Sequence, residues 1–140
     1  MIRLADPGDA EQFFGLNERF NEAGLTTVEA IRECLIENRQ EIVVVAEEDG
    51  VLTGFLCVQL KRSFCYQAPS AEITELYVEE RYRRRKCATL MTEFAEFYCK
   101  ERYRIGRLEL LTGKENRQAQ AFYTSAGYRD DGEIHLSKRF

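Results

Sequence analysis

Tryptophan is absent from this 140-residue chain, histidine occurs once and proline twice. The solitary His135 excludes a multi-histidine metal site, and no motif around it supports a serine or cysteine nucleophile activated by histidine. It reads as an ordinary strand residue near the C-terminus. With two Pro and nine Gly, 44% apolar and 31% charged residues, the chain lies outside the collagen-like, low-complexity and disordered classes. No apolar run approaches the roughly 18 to 20 residues of a membrane span, and Met1-Ile2-Arg3-Leu4-Ala5-Asp6 lacks the apolar core of a signal peptide. A cytoplasmic location without a membrane partner is the expectation. The cysteines Cys34, Cys57, Cys65, Cys87 and Cys99 are odd in number and form no CxxC pair, so neither a disulfide framework nor a zinc site is indicated, and no metal is expected. The length suits one core, and residues 1–140 are expected to form a single domain.

Acidic side chains outnumber basic ones, 24 to 20, for a net charge of −4, so the balance does not draw the chain to nucleic acid. Positive charge is nevertheless concentrated in one place: Arg81, Arg83, Arg84, Arg85 and Lys86 fall within a single short run. Ile2 to Leu4 reads as a short strand. Asp6-Pro7 opens a helix with Phe13, Leu16 and Phe20 on its apolar side, stopped by Gly24, and Thr26 or Thr27 caps a second that carries Val28, Ile31 and Leu35 to about Asn38. The strands Ile42 to Ala46 and Leu52 to Leu60 flank Asp49-Gly50, a hairpin signal.

Ser63 to Ser70 contains Pro69 and reads as a loop, followed by a strand from Ala71 to Val78. A long helix is predicted from about Arg83 to Arg102, with Cys87, Leu90, Met91, Phe94 and Tyr98 on its inward stripe, then a short strand from Leu108 to Leu111. Asn116 caps a last helix whose inward set is Ala119, Phe122, Tyr123 and Ala126, ended by Gly127. Glu133 to Arg139 alternates as a final strand. The order fits one α/β sheet with helices on its faces, and the strand–helix–strand unit in the middle is expected to be a right-handed parallel crossover.

Tyr82 to Ala88 sits where a strand hands over to the long helix. The first N–H groups of a helix lack partners within it and carry the positive end of its dipole, so they converge readily on a phosphate, and arginines add charge-assisted bonds. A solvated basic helix start accounts for the same residues. The position of the run, more than its charge, is informative.

These residues resemble the phosphate motif of the GNAT family of N-acetyltransferases: Arg or Gln, two variable residues, Gly, one variable residue, then Gly or Ala. Arg83, Arg84, Arg85, Lys86, Cys87 and Ala88 stand in those places. Glu72-Ile73-Thr74-Glu75-Leu76-Tyr77-Val78 is similar to the strand that leads into that turn, and Asn116 to Tyr128 to the family's later signature of Asn, Ala, Phe-Tyr and Gly with an aromatic. The resemblance is specific over about Glu72 to Tyr128. Lys86 departs from it, standing where the family carries Gly, a residue that lets backbone approach a pyrophosphate. In a helical position its side chain points aside and can even touch phosphate, and the alternative is a weakened or lost cofactor site; the small Ala88 and the retained Arg83 favour tolerance.

The resemblance implies an α/β fold with a mixed, mostly antiparallel twisted sheet, a central parallel βαβ unit and helices on both faces. It implies acetyl-CoA as co-substrate, in a wedge between the splaying strands Ala71–Val78 and Leu108–Leu111. Main-chain contacts would come from Leu76, Tyr77 and Val78, pyrophosphate contacts from Arg83, Arg84, Arg85, Lys86, Cys87 and Ala88, and a hydrogen bond from Asn116. An alkyl amine with a pKa near about 10 must lose a proton before it attacks. Glu72 is the first candidate base, and Glu75 the second, on the opposite face of the strand by alternation. Tyr123 is the implied acid for the departing thiolate. Core packing also explains Leu76, Val78 and Tyr123, and an ordinary N-cap explains Asn116.

Direct transfer to a primary amine of a small molecule or peptide is thus the expected activity, with no acyl-enzyme. Glu11, Glu18, Glu22, Glu29 and Glu33 suit a cationic acceptor such as a polyamine, an aminoglycoside or a peptide amine. A CoA-binding or partner-binding domain without turnover is the alternative, supported by Lys86. A nucleic-acid module built on Arg81 to Lys86 is disfavoured by the acidic total. A homodimer is the oligomer to consider.

Overall fold

The computed structural model describes all 140 residues, which form two compact units, Met1–Leu110 and Leu111–Phe140. The first unit contains β1 (Ile2–Leu4), a 3₁₀ turn at Pro7–Asp9, α1 (Ala10–Phe20), α2 (Val28–Glu37), β2 (Glu41–Glu48), β3 (Val51–Lys61), β4 (Ser70–Val78), α3 (Cys87–Tyr103) and β5 (Arg107–Leu110). Its sheet runs β1-β2-β3-β4-β5 in space, antiparallel throughout except for the parallel β4–β5 pair that α3 connects. The second unit contains α4 (Arg117–Ser125). No helix is long and apolar enough to cross a membrane.

Local chemistry sets most boundaries. The Thr27 hydroxyl accepts from the Ala30 N–H to cap α2, and both residues of the Asp49-Gly50 turn have positive φ, as the tightest hairpins require. Three expectations change. α3 begins at Cys87 because the arginines before it occupy a short 3₁₀ turn and an irregular loop. Its buried stripe is Met91, Thr92, Ala95 and Cys99, whereas Leu90 is 48% exposed. The small Ala95 and Cys99 let the helix lie close to the sheet, and the wider apolar set had two overlapping stripes to choose from. Glu133 to Arg139 forms no strand: alternation supplies a face, but a strand also needs a ladder partner for its backbone, and this exposed segment has none.

The two faces of the sheet differ. On one, Phe55 packs on Phe13 of α1 at 4.6 Å between ring centroids, within a cluster that includes Leu16, Val45, Leu52 and Cys57. On the other, Gly54 faces Met91 of α3. Gly54 has no room for a side chain: a Cβ there would lie 2.7 Å from the Tyr77 carbonyl oxygen. Two β-bulges interrupt the ladders, one at Thr53 between β2 and β3, the other at Thr74 between β3 and β4. Each extra residue is a threonine whose hydroxyl donates to the strand opposite, Thr53 to the Ala46 carbonyl and Thr74 to the Cys57 carbonyl, at 3.3 and 3.4 Å.

The near edge is fastened by charge. Arg3 donates from both terminal nitrogens to Asp9, at 2.7 and 2.9 Å, and also to Glu47 at 2.6 Å. Asp9 is only 6% exposed, so losing its partner would strand a buried charge. The Arg3 hydrogen bonds hold the Asp9 carboxyl below its ordinary 3.8. A carboxyl held low stabilises the fold above its unfolded pKa, and that stability is lost as pH falls through the folded value. Asp9→Asn is therefore expected to cost about 2 kcal/mol in urea unfolding at pH 7. The gap to the parent protein should close on acidification below the ordinary carboxyl range; a gap independent of pH would exclude this origin.

Candidate active site

β4 and β5 run parallel for only four pairs, from Ser70 opposite Arg107 to Ile73 opposite Leu110. β4 then continues for five more residues, Thr74 to Val78, still paired to β3 on its other side. No strand of the sheet borders its outer edge beyond Ile73. Along this segment the main-chain groups of Leu76 and Val78 point to that outer edge, where the Val78 carbonyl accepts from Arg83 Nε, while those of Tyr77 pair with β3. The ladder ends at the residue before the Thr74 bulge, and a bulge bends and twists its strand at that point.

The bulge also changes which side chains share a face. Glu72 pairs with Gln59 and Glu75 with Cys57, two residues on the same side of β3, so Glu72 and Glu75 project to the same face of the sheet. Simple alternation had placed them on opposite faces. Their surroundings differ. Lys61 Nζ lies 2.7 Å from Glu72 and 2.9 Å from Glu109, linking β3, β4 and β5 where the ladder is intact. Glu75 lies instead beside Cys57, whose thiol donates to Glu41. Burial raises the Cys57 thiol well above the usual thiol range, with the Glu41 and Glu75 charges adding to the effect, so it stays a neutral donor. Lys61, Glu109, Glu41 and Cys57 escaped the sequence reading because their proximity depends on strand register; the only signal was their position in predicted strands.

At the other end of β4 the arginine run forms a compact turn. Arg83 donates its Nε to the Val78 carbonyl at 2.8 Å and lies over the Tyr77 ring, so its side chain fastens the turn to the end of β4. Arg81 and Arg85 flank the Tyr82 ring, and Arg85 also reaches Glu48 at 3.4 Å. Arg84 and Lys86 both have left-handed backbone, with φ of 63° and 60°. Lys86 is thus not helical: it is the N-cap of α3, and no side chain caps the helix. The first helical bond runs from Leu90 N–H to the Lys86 carbonyl, which leaves the N–H groups of Cys87, Ala88 and Thr89 available at the positive end of the dipole. No acidic residue occupies that first turn. Uncapped amides, a turn with alternating left-handed residues and exposed cationic side chains together suit a phosphate-bearing group.

In the second unit, the Asn116 side chain accepts from the Ala119 N–H at 3.1 Å and caps α4. Tyr123 follows two turns later, half-buried, with Phe122 and Tyr128 packed edge-on against its ring. Burial raises the Tyr123 hydroxyl above its ordinary 10, so it remains a proton donor across the neutral range. Asn116 and Tyr123 thus share one short helix, while the other predicted site residues lie on β4, the turn and the start of α3.

The chain matches the acetyltransferase (GNAT) family over residues 10–128. It is 26% identical, over 147 aligned positions, to an uncharacterized N-acetyltransferase of Bacillus subtilis, covering 96% of this chain and 93% of that protein. Among solved structures it is similar to an aminoglycoside acetyltransferase from an uncultured soil metagenomic sample, in complex with sisomicin, with a TM-score of 0.86 at 16% identity over 100% of this chain and 95% of that one. It is similar also to glucosamine-6-phosphate N-acetyltransferase from Arabidopsis thaliana, with a TM-score of 0.85 at 23% identity over 100% and 97%. At these identities the structural likeness speaks for the fold.

The left-handed backbone at Lys86 carries a cost that glycine would not, on the order of 1 kcal/mol. Lys86→Gly is expected to raise stability by about that amount in denaturant unfolding, whereas Lys86→Ala, which keeps the Cβ, should not. Equal gains from both would point to relief of charge repulsion instead.

Proposed function

The chain belongs to the acetyltransferase (GNAT) family, whose members use acetyl-CoA, and on that premise we propose that it moves the acetyl group of acetyl-CoA to a primary amine of a small molecule or peptide by direct attack. The observation that carries this reading is a single strand with two features in series: an outer edge released at Ile73, and beyond its far end a turn opening an uncapped helix. A long ligand with a hydrogen-bonding arm and a diphosphate matches both. Bound acetyl-CoA supplies a thioester whose acetyl carbon is open to nucleophilic attack.

Of the segment Leu76, Tyr77 and Val78, the outward main-chain groups of Leu76 and the N–H of Val78 bind the arm, Tyr77 lies between them with its own groups paired to β3, and the side chains are left to pack within the sheet. The N–H groups of Cys87, Ala88 and Thr89 receive the diphosphate, with Arg84, Arg85 and Lys86 contributing charge. Arg83 acts on the same site by holding the turn against β4. Asn116, already capping α4 through its oxygen, keeps its amide N–H donors for the arm.

Removing a proton from the incoming ammonium falls to Glu72, with Glu75 on the same sheet face as the second candidate. The Lys61 ion pair already engages one side of Glu72 and fixes its orientation. Tyr123 donates a proton to the departing sulfur, a role consistent with a hydroxyl that stays protonated at neutral pH. Lys61 and Arg107 already compensate Glu72 and Glu109, so Glu75, in no ion pair, is the carboxylate here that favours an acceptor carrying positive charge.

Acetyl-CoA at about a hundred times its dissociation constant should add roughly 2.7 kcal/mol of stability, read as a thermal shift. No shift at any concentration would refute the cofactor site. With a panel of primary amines, thiol release should accompany binding, and a shift without release would favour a CoA-binding domain lacking turnover. Tyr123→Phe is expected to lower kcat by about a hundredfold while leaving acetyl-CoA affinity nearly unchanged. Unaltered turnover would remove Tyr123 from the reaction.

A further inference from the structure

β1 pairs with β2 only from Leu4 opposite Val44 outward, with one more bond from the Ala5 N–H to the Val43 carbonyl. The first residues of β2, Glu41 and Ile42, therefore extend past the end of β1. The gap is not filled. A cavity of about 260 Å³ occupies it, bounded by α2, the ends of β1 and β2, and the last turns of α3. At 150 Å³ an apolar cavity already admits benzene, so this one has room for a six-membered ring and a head group. It lies at the β1–β2 side of the sheet, whereas the released edge described above is that of β4 beyond Ile73.

Its lining has a distinct chemistry. Ile31 and Leu35 of α2 give an apolar wall, and Tyr98 and Tyr103 of α3 lie with ring centroids 6.0 Å apart at an interplanar angle of 70°. Glu41 is the one charged residue of the lining. No lysine or arginine pairs with it. Its neighbours are the Asn38 amide, 3.5 Å away, the Cys57 thiol that donates to it, and the like charge of Glu75. Burial raises the Glu41 carboxyl. A half-buried carboxylate with no cation and a second carboxylate nearby is unfavourable until a positive charge arrives. The tyrosine rings are already engaged, Tyr103 beneath Arg102 at 5.4 Å and Tyr98 stacked on Phe94, so Glu41 sets the sign of charge the cavity favours. A hydrocarbon body would rest on the α2 wall.

We propose that this cavity is a binding site for a small organic cation, an ammonium group on a compact hydrocarbon body. Glu41 receives the charge, Tyr98 and Tyr103 flank it, and Ile31 and Leu35 cover the apolar part. The cavity lies on the β1–β2 side, away from the turn that opens α3, and shares with the candidate base Glu75 only the contact that runs from Glu41 through Cys57.

Amide chemical shifts of the ¹⁵N-labelled protein test the proposal with two probes of nearly equal shape, cyclohexylammonium and cyclohexanol, at pH 7. Saturable shifts are expected at Cys34, Asn38, Glu41 and Tyr103, with the cation bound about tenfold more tightly than the alcohol. Glu41→Gln should abolish that preference while keeping the cavity, and Ala30→Phe, which places a ring in the lining, should abolish binding of both probes. Equal affinity of the two probes for the parent protein, an intact preference in Glu41→Gln, or no saturable shift at these residues would overturn it. Acetyl-CoA titrated into the same samples reports on the other site separately, so failure of one reading is distinguishable from failure of the other.

Discussion

A strand cannot leave its backbone groups unmatched in a half-buried setting without some other partner meeting them. That constraint governs the far half of β4. Up to Ile73 its outer edge is satisfied by β5, which ends opposite it at Leu110. The extra residue Thr74 marks the transition, and the hydroxyl of that residue reaches back across the bulge to β3. The result is a strand held firmly on one side and open on the other. Lys61, bridging Glu72 and Glu109, fastens the closed end. The shared facing of the two glutamates follows from this one interruption.

The turn after β4 sets two electrostatic effects against each other. Cationic side chains crowd the positive end of a helix, which is unfavourable in isolation. Two left-handed residues add backbone strain. A stable arrangement of this kind calls for an anion to offset both, and the three unpartnered amides of α3 point where it would sit. Arg83 plays a different part from its neighbours, since its hydrogen bond to Val78 makes it a brace.

Much of this was legible in the residues alone. Asp49-Gly50, Thr27 and Asn116 carry their own conformational signals, and each does what its chemistry indicates. The strand, arginine turn and long helix were likewise visible as a pattern. What escaped depends on register or competition. Counting by twos along Glu72 to Glu75 fails because a bulge resets the count, and neither threonine announces one. Lys61 meets Glu72 only once the β3–β4 ladder is laid down. Leu90 and Phe94 competed with Ala95 and Cys99 for the inside of α3, and close approach favoured the smaller pair. At Lys86 the family motif pointed to a position made for glycine, but a lysine in the letter string does not reveal its own backbone angle.

Gly54 shows how narrow the tolerance of this framework is. Every other amino acid has at least one more carbon, and here that carbon would press on the main chain of β4 just where its outer edge is open. Any replacement at that codon must first move a neighbouring strand. At Gly54 it is the absence of an atom that the sheet requires, a demand that the exposed Val51, three residues earlier on the same strand, does not face.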